Sequence, residues 1–298
     1  MNDLIDVGAW AKCERVPKKR VGFMHHDSIN DAVAAGSESS TVVEGFGPPD
    51  ESSKSEDKRF CGTSSWTDME EVVRKGWVKG RRSISAGLKD IFSSNSASIS
   101  RGSYADYDVA GDYPDVERYL TGEPDHMLSY GAHLAAKPVI KLVVNVVVSC
   151  GVDTRYIINR GSAIAALVDE IESAGNSCEI ISVFSTKGHN ALANYSVTVK
   201  KAGEVLSIDD VAFGLGHPSM IRRVIFSMLE RHPFVDGKGY QSGYGSCIDI
   251  PIECLPYDVI YLGYLRNQSE YRTPEDAMET VKGLYKAQAE SKQLGVDV

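Results

Sequence analysis

The chain has 298 residues, 42% of them apolar and 24% charged; that length buries a substantial core without help from disulfides or metals, and that composition excludes a wholly disordered chain. A formal net charge of −9 is the wrong sign for a surface that tracks phosphates throughout, and it leaves nucleic acid only a local basic stripe. No apolar run reaches the ~18 residues of a spanning helix, which argues against a membrane protein.

The opening residues, MNDLIDVGAWAKCERVPKKR, place acids ahead of a basic cluster and hold no apolar h-region, so neither a signal nor a transit peptide is expected and a cytoplasmic compartment follows. Residues 36–58, GSESSTVVEGFGPPDESSKSEDK, combine Pro-Pro, Gly, Ser and charge, and predict a mobile linker; residues 1–59 are accordingly expected to be a mobile N-terminal segment and linker. Order is expected from Phe60. In CGTSSWTDMEEVVRKGW, Ser or Thr stands ahead of Glu70 and Glu71, Val72 and Val73 follow, and Gly76 sits where a helix ends, which predicts a short capped helix. RRSISAGLKDIF then places Ile84, Leu88, Ile91 and Phe92 on one helical face. Pro114 and Pro124 each stand where they would open a short helix, the first burying Val116, Tyr119 and Leu120. Residues 60–135 therefore read as a helical N-terminal region.

Residues 136–298 read differently. KPVIKLVVNVVVS is dominated by Val and Ile, the pattern of a central strand covered on both faces. RGSAIAALVDEIESAG is a helix with Ile164, Leu167, Val168 and Ile171 at three- and four-residue spacing, closed by Gly175. SCEIISVFS is a second strand, and YSVTVKKAGEVLSI predicts a strand, an Ala-Gly turn and a further strand. Two helical segments divided at Gly216-His217-Pro218, the strand DVIYLGYL and a terminal helix opened by Pro274 complete the domain. This alternation predicts an α/β fold with a mostly parallel sheet and helices on both faces, Rossmann-like in architecture, beside an irregular helical N-terminal half.

Ligands of open α/β sheets sit at the carboxyl ends of the strands. The loop after the first strand, SCGVDTRYIINRGS, holds Ser149, Asp153, Arg155 and Arg160, a polar cluster at a helix N-terminus; it matches neither a dinucleotide nor a P-loop fingerprint. His217, Arg222 and Arg223 cluster at the divided helix, where His217 reads either as a base or as a capping residue. These seven residues are the candidates for ligand or partner binding. The loop GKGYQSGYGS, residues 237–246, offers Lys238, Tyr240 and Tyr244 for phosphate contact and base stacking. The six cysteines form no CxxC pair and have no His at ligand spacing, so no zinc module is expected. The sequence holds no nucleophile motif or cofactor fingerprint, and a non-enzyme without metal or cofactor is expected.

The element order strand, helix, strand, antiparallel strand, helix, strand resembles a von Willebrand factor A domain. The resemblance implies an Asp-x-Ser-x-Ser metal motif after the first strand; Val147, Val148, Ser149, Cys150 and Gly151 stand there instead, so the implied site is degenerate. The strings GTSSWTDMEEVVRKGW, DYPDVERYLTGEPDHM, INRGSAIAALVDEIESAG and AFGLGHPSMIRRVIFSMLE are similar to those of an uncharacterised family of tailed bacteriophage proteins. That resemblance implies viral origin and expression in the host bacterial cytoplasm. The leading expectation is a non-catalytic phage protein that binds a protein partner of phage or host in the infected cell. Single-stranded DNA binding in phage transcription or replication is the alternative, kept open by the Gly-Tyr loop and by basic clusters at Lys18–Arg20, Lys79–Arg82 and Arg222–Arg223. A virion structural component is the third reading.

Overall fold

The computed structural model describes residues 5–38, 52–54, 58–94, 105–109, 113–114, 116–130, 139–149, 151–188, 191–231 and 244–292. In chain order the strands are β1 (Val21–His26), β2 (Ala105–Asp108), β3 (Tyr113–Pro114), β4 (Met127–Tyr130), β5 (Val139–Asn145), β6 (Ser177–Lys187), β7 (Leu192–Lys200), β8 (Ser246–Cys247) and β9 (Val259–Leu262). The helices are α1 (Val7–Cys13), α2 (Ile29–Ser37), α3 (Lys58–Cys61), α4 (Trp66–Lys75), α5 (Val78–Ser94), α6 (Val116–Leu120), α7 (Thr154–Ser173), α8 (Ile208–Gly216), α9 (Phe226–Arg231) and α10 (Pro274–Ser291), with a π-helical stretch at Met220–Ile225 running into α9.

The chain divides into two units: Met1–Asn95 with Val139–Val298, and Ser96–Pro138. The larger unit is built on a six-stranded, mostly parallel sheet in the order β1-β7-β6-β5-β9, with β8 pairing with the far end of β6. β5 runs parallel to both of its neighbours and β1 runs parallel to β7, whereas β6 meets β7 and β8 antiparallel. Alternation sorts the side chains by face. Ile140, Leu142 and Val144 of β5 join the larger core beneath α5, α7, α8 and α10, while Val143 joins a smaller core on the opposite face, with Trp10 of α1 as its anchor.

α7 begins where Asp153 accepts from the Arg155 amide at 2.8 Å, and it ends as Gly175 turns to φ +80°. Its first half packs against α5 at very short range: a Cβ at Gly87 would lie 2.8 Å from the Ser162 hydroxyl. α4 runs from the Ser65 cap to Gly76, which stands at φ +80°, and α10 carries a full capping box between Thr273 and Asp276.

Five expectations are corrected. The N-terminal residues expected to be mobile form α1, β1 and α2; Val21 and Phe23 pack with Trp10, and Ser28 caps α2 through the Asp31 amide. Of the expected linker, Ser53 is buried and bonded to Glu230, and residues 39–51 and 55–57 lie outside the described residues. The region expected to be a helical N-terminal half is split: α4 and α5 belong to the larger unit, and the smaller unit carries a three-stranded antiparallel sheet ordered β2-β4-β3. The Ala-Gly turn after β7, expected to lead into a further strand, leads into the Ser207 cap of α8, and β7 pairs antiparallel with the preceding β6. Finally, Pro124 precedes strand β4, not a helix.

Candidate functional site

The loop that leaves β5 and the break after α8 come together at the carboxyl end of the central strands. They form a cleft lined by Val148, Val152, Thr154, Ile157, Leu215 and His217, with Arg222 at its edge. Its enclosed volume is about 20 Å³, room for about one water and far below the ~300 Å³ at which small-molecule pockets begin. It suits the tip of an apolar side chain better than a metabolite.

His217 closes one wall. Its ring meets the edge of Trp77 at 4.5 Å and stacks on Phe213 at 5.4 Å, and its Nδ1 accepts the Ser219 amide at 3.0 Å. Burial, and then the charge of Arg223, push its pKa down to about 4. The ring is therefore neutral at pH 7 with its proton on Nε2, and Nδ1 is engaged in capping the next helical turn. Arg222 lies over the Phe60 ring at 4.2 Å and donates to the Phe60 carbonyl at 2.5 Å. Arg223 is fully buried: Nε donates to Thr63 Oγ1 at 2.7 Å, Nη2 to the Thr63 carbonyl at 2.7 Å and Nη1 to the Ser53 carbonyl at 3.1 Å. The basic pair read as a ligand contact thus anchors the segment ahead of α4, and the three oxygen acceptors offset the cost of burying the Arg223 charge.

Among the loop candidates, Ser149 is exposed and its carbonyl closes a tight turn onto the Val152 amide at 3.1 Å. Asp153 is the α7 cap, and Arg155 is exposed and stacked on Tyr156 at 4.7 Å. Arg160 turns inward. Its Nη1 donates to the Asn145 carbonyl at 2.9 Å, and Nη2 donates to the carbonyls of Leu262 at 3.1 Å and Gly263 at 2.5 Å, closing the ends of β5 and β9. Beside it lies a buried network that sequence reading missed. Asn145 Nδ2 sits 2.8 Å from the Ile248 carbonyl, 3.0 Å from the Tyr261 hydroxyl and 3.3 Å from Asp249 Oδ1, which also accepts from the Tyr264 amide at 2.8 Å. Burial and the nearby Asp249 raise the Tyr261 pKa, so its hydroxyl stays protonated and donates to Asp249 at 3.0 Å. Asn145, Asp249 and Tyr261 satisfy one another and the strand ends, whereas, among the described residues, the Arg160 Nε is buried without a hydrogen-bond partner.

Of the residues read for nucleic acid, Lys238 and Tyr240 lie outside the described residues. Tyr244 stacks on Phe226, with ring centroids 3.6 Å apart, and donates to Glu230 at 2.5 Å, so one ring face is already covered. Among the described residues no group of three or more His, Cys, Asp or Glu is placed to hold a metal, and no helix is long and apolar enough to cross a membrane.

The smaller unit holds the feature whose sign the sequence reading reversed. Val116, Tyr119 and Leu120 of α6 recur at helical spacing, yet they are 63%, 62% and 77% exposed. Among the described residues Tyr119 meets the His126 ring in a T-shaped contact, with centroids 5.1 Å apart. A five-residue helix offers an apolar stripe to solvent here, in a stretch whose sequence carries Asp106, Asp108, Glu117, Glu123 and Asp125 against Arg118.

Residues 14–289 match a family described as Domain of unknown function (DUF7192). The chain belongs to that family. No curated protein and no solved structure matches it. The DUF7192 match takes in the sheet from β1 to β9, the cleft at His217 and the α6 stripe, so both candidate surfaces lie within the stretch that defines the family.

Proposed function

We propose that this DUF7192 protein is a phage-encoded, non-catalytic binding protein that engages a protein partner of phage or host through the apolar stripe of α6. The exposure of Val116, Tyr119 and Leu120 together carries this reading, because neighbouring large apolar residues held in water mark interaction surfaces. The acidic residues around the stripe favour a partner with a basic rim and repel phosphate, which favours protein over nucleic acid. The buried Arg223 and the covered face of Tyr244 remove two contacts from the single-stranded DNA reading. Polar groups at the carboxyl ends of β5 and β9 are engaged in closing the sheet, consistent with a scaffold rather than a reaction centre.

The order β7-β6-β5-β9, with β7 antiparallel at one side of a parallel centre, supports a von Willebrand factor A-like reading of the larger unit. β5 ends at Asn145, whose amide is bonded within the protein, and Val147 and Gly151, at the positions of the motif's aspartate and last serine, offer a hard cation no oxygen side chain. On this reading the site is degenerate and binding needs no metal or cofactor.

Affinity capture from infected cells tests the function, with wild-type protein and a Val116→Asp/Leu120→Asp variant, each with and without nuclease. The expected result is captured protein that survives nuclease and is lost with the variant. Capture that nuclease abolishes would make nucleic acid the ligand.

A further inference from the structure

In the larger unit, α7 and the connection from β7 to α8 border an open groove of about 490 Å³, inside the ~300–1,000 Å³ range of small-molecule sites. Ala165, Asp169 and Glu172 of α7 form one wall, because residues three and four apart share a helical face. Ala165 is small enough to leave the space open, and the Asp169 and Glu172 positions are about 4.5 Å apart along the helix axis. For the other wall, Gly203 turns the chain at φ +80°, and Glu204, Val205, Leu206 and Ile208 follow it along the groove.

The lining has one sign of charge. It holds three carboxylates and no basic side chain, and the buried Lys200 pairs with Glu172 at 2.6 Å, so three negative charges against one positive leave a net −2. Glu204 accepts from the Lys201 amide at 3.2 Å, a neutral donor that leaves its charge in place, and Asp169 is exposed. Between the carboxylates the surface is apolar: Val205 is 92% exposed, and Leu206 and Ile208 are half-buried against the larger core. The carboxylates line one groove without converging on a point, since among the described residues no group of three is placed to hold a metal. A cation that fits must therefore carry its charges apart, with an apolar stem between them.

We infer that this groove binds a linear aliphatic polyamine, with its ammonium groups on Asp169, Glu172 and Glu204 and its methylene chain on Val205, Leu206 and Ile208. Each ammonium gives a carboxylate a charge-assisted donor. The methylenes take out of water the apolar surface that the fold leaves exposed. Because the groove is open to solvent, salt screens the charge contacts and affinity falls as ionic strength rises. The site uses other residues, in another unit, than the α6 stripe, so either reading can fail alone.

The full-length protein is titrated with spermine by calorimetry and by thermal unfolding at low ionic strength, beside MgCl₂ at matched ionic strength. The expected result is uptake of one spermine per chain, with a rise in melting temperature of about 3 °C at saturation that MgCl₂ does not reproduce. Asp169→Asn/Glu204→Gln, two exposed changes that leave the Lys200–Glu172 pair in place, weakens binding about 10-fold while the unliganded melting temperature stays near wild type. Glu71→Gln/Glu279→Gln, the same change of charge at exposed positions outside the groove, leaves binding unchanged. No uptake, an equal rise with MgCl₂, binding kept by the groove variant, or binding weakened equally in the distal one would overturn the inference. A Lys-Val-Lys peptide that binds more tightly than spermine would also overturn it, making the groove a docking site for a protein segment.

Discussion

Arg223 and Thr63 are joined twice, by Nε to the threonine hydroxyl and by Nη2 to its carbonyl, each at 2.7 Å. The pair holds the segment between α3 and α4 against the π-helical turn, and Ser219 adds a bond from its hydroxyl to the Cys61 carbonyl at 2.6 Å. A wider helical turn at this point lets Arg222 and Arg223 reach the same segment from adjacent positions. Sequence far apart along the chain is thereby fixed beside the cleft.

Arg223→Ala removes three donors and strands the Ser53 and Thr63 carbonyls. We expect a loss of about 3 kcal/mol in urea unfolding, and about 1 kcal/mol for Thr63→Val, which removes one acceptor. An Arg223→Ala protein as stable as wild type would show that the anchor contributes nothing.

His217 sets a pH dependence whose sign follows from its neutral burial. Its pKa falls from 6.5 in the unfolded chain to about 4 in the fold, so between those values the unfolded state binds a proton that the native state does not. The contribution is full above pH 6.5 and is lost as pH falls toward 4, by up to about 3 kcal/mol. Burial also lowers the pKa values of His25 and His26, so the informative quantity is the difference between wild type and His217→Asn, which keeps an acceptor for the Ser219 amide. Urea titrations at pH 7.5 and 4.5 are expected to show a smaller acid loss in the variant; equal losses would place the titration elsewhere.

At Gly87 two effects of opposite sign compete. Alanine would favour helix α5 by about 1 kcal/mol, but its Cβ would press on Ser162 Oγ at 2.8 Å and on Ser162 Cβ at 2.9 Å, and overpacking of that kind costs about 1–3 kcal/mol. Thermal unfolding is expected to show Gly87→Ala below wild type and Gly87→Ala/Ser162→Gly recovering part of the loss. A more stable single variant would mean that the α5–α7 contact yields easily.

The fold was legible where a residue's neighbours in sequence decide its state. Ser65 and Gly76 bracket α4, Thr273 and Pro274 open α10, and the Val and Ile run of β5 lies at the centre of the sheet as such runs do. β1 was missed because VGFMHH is short and sits between basic and acidic clusters; Ser28 and Asp31 beyond it carried a capping signal that pointed to order there. The site was less legible for a related reason. Periodicity reports that α6 has an apolar face but not what lies against it, and the charges of Arg160 and Arg223 do not disclose that carbonyl oxygens wait for them inside the fold. The network of Asn145, Asp249 and Tyr261 joins residues more than a hundred positions apart, which no spacing rule reaches.

The central claim is that the α6 stripe contacts a protein. Its most direct measurement is site-specific photocrosslinking in infected cells, with a benzophenone amino acid at position 120 in place of Leu120 and nuclease treatment before analysis. The account predicts a discrete protein adduct that Val116→Asp removes and that is absent when the probe replaces exposed Val205 in the larger unit. Adducts to nucleic acid alone, or a protein adduct indifferent to Val116→Asp, would contradict it.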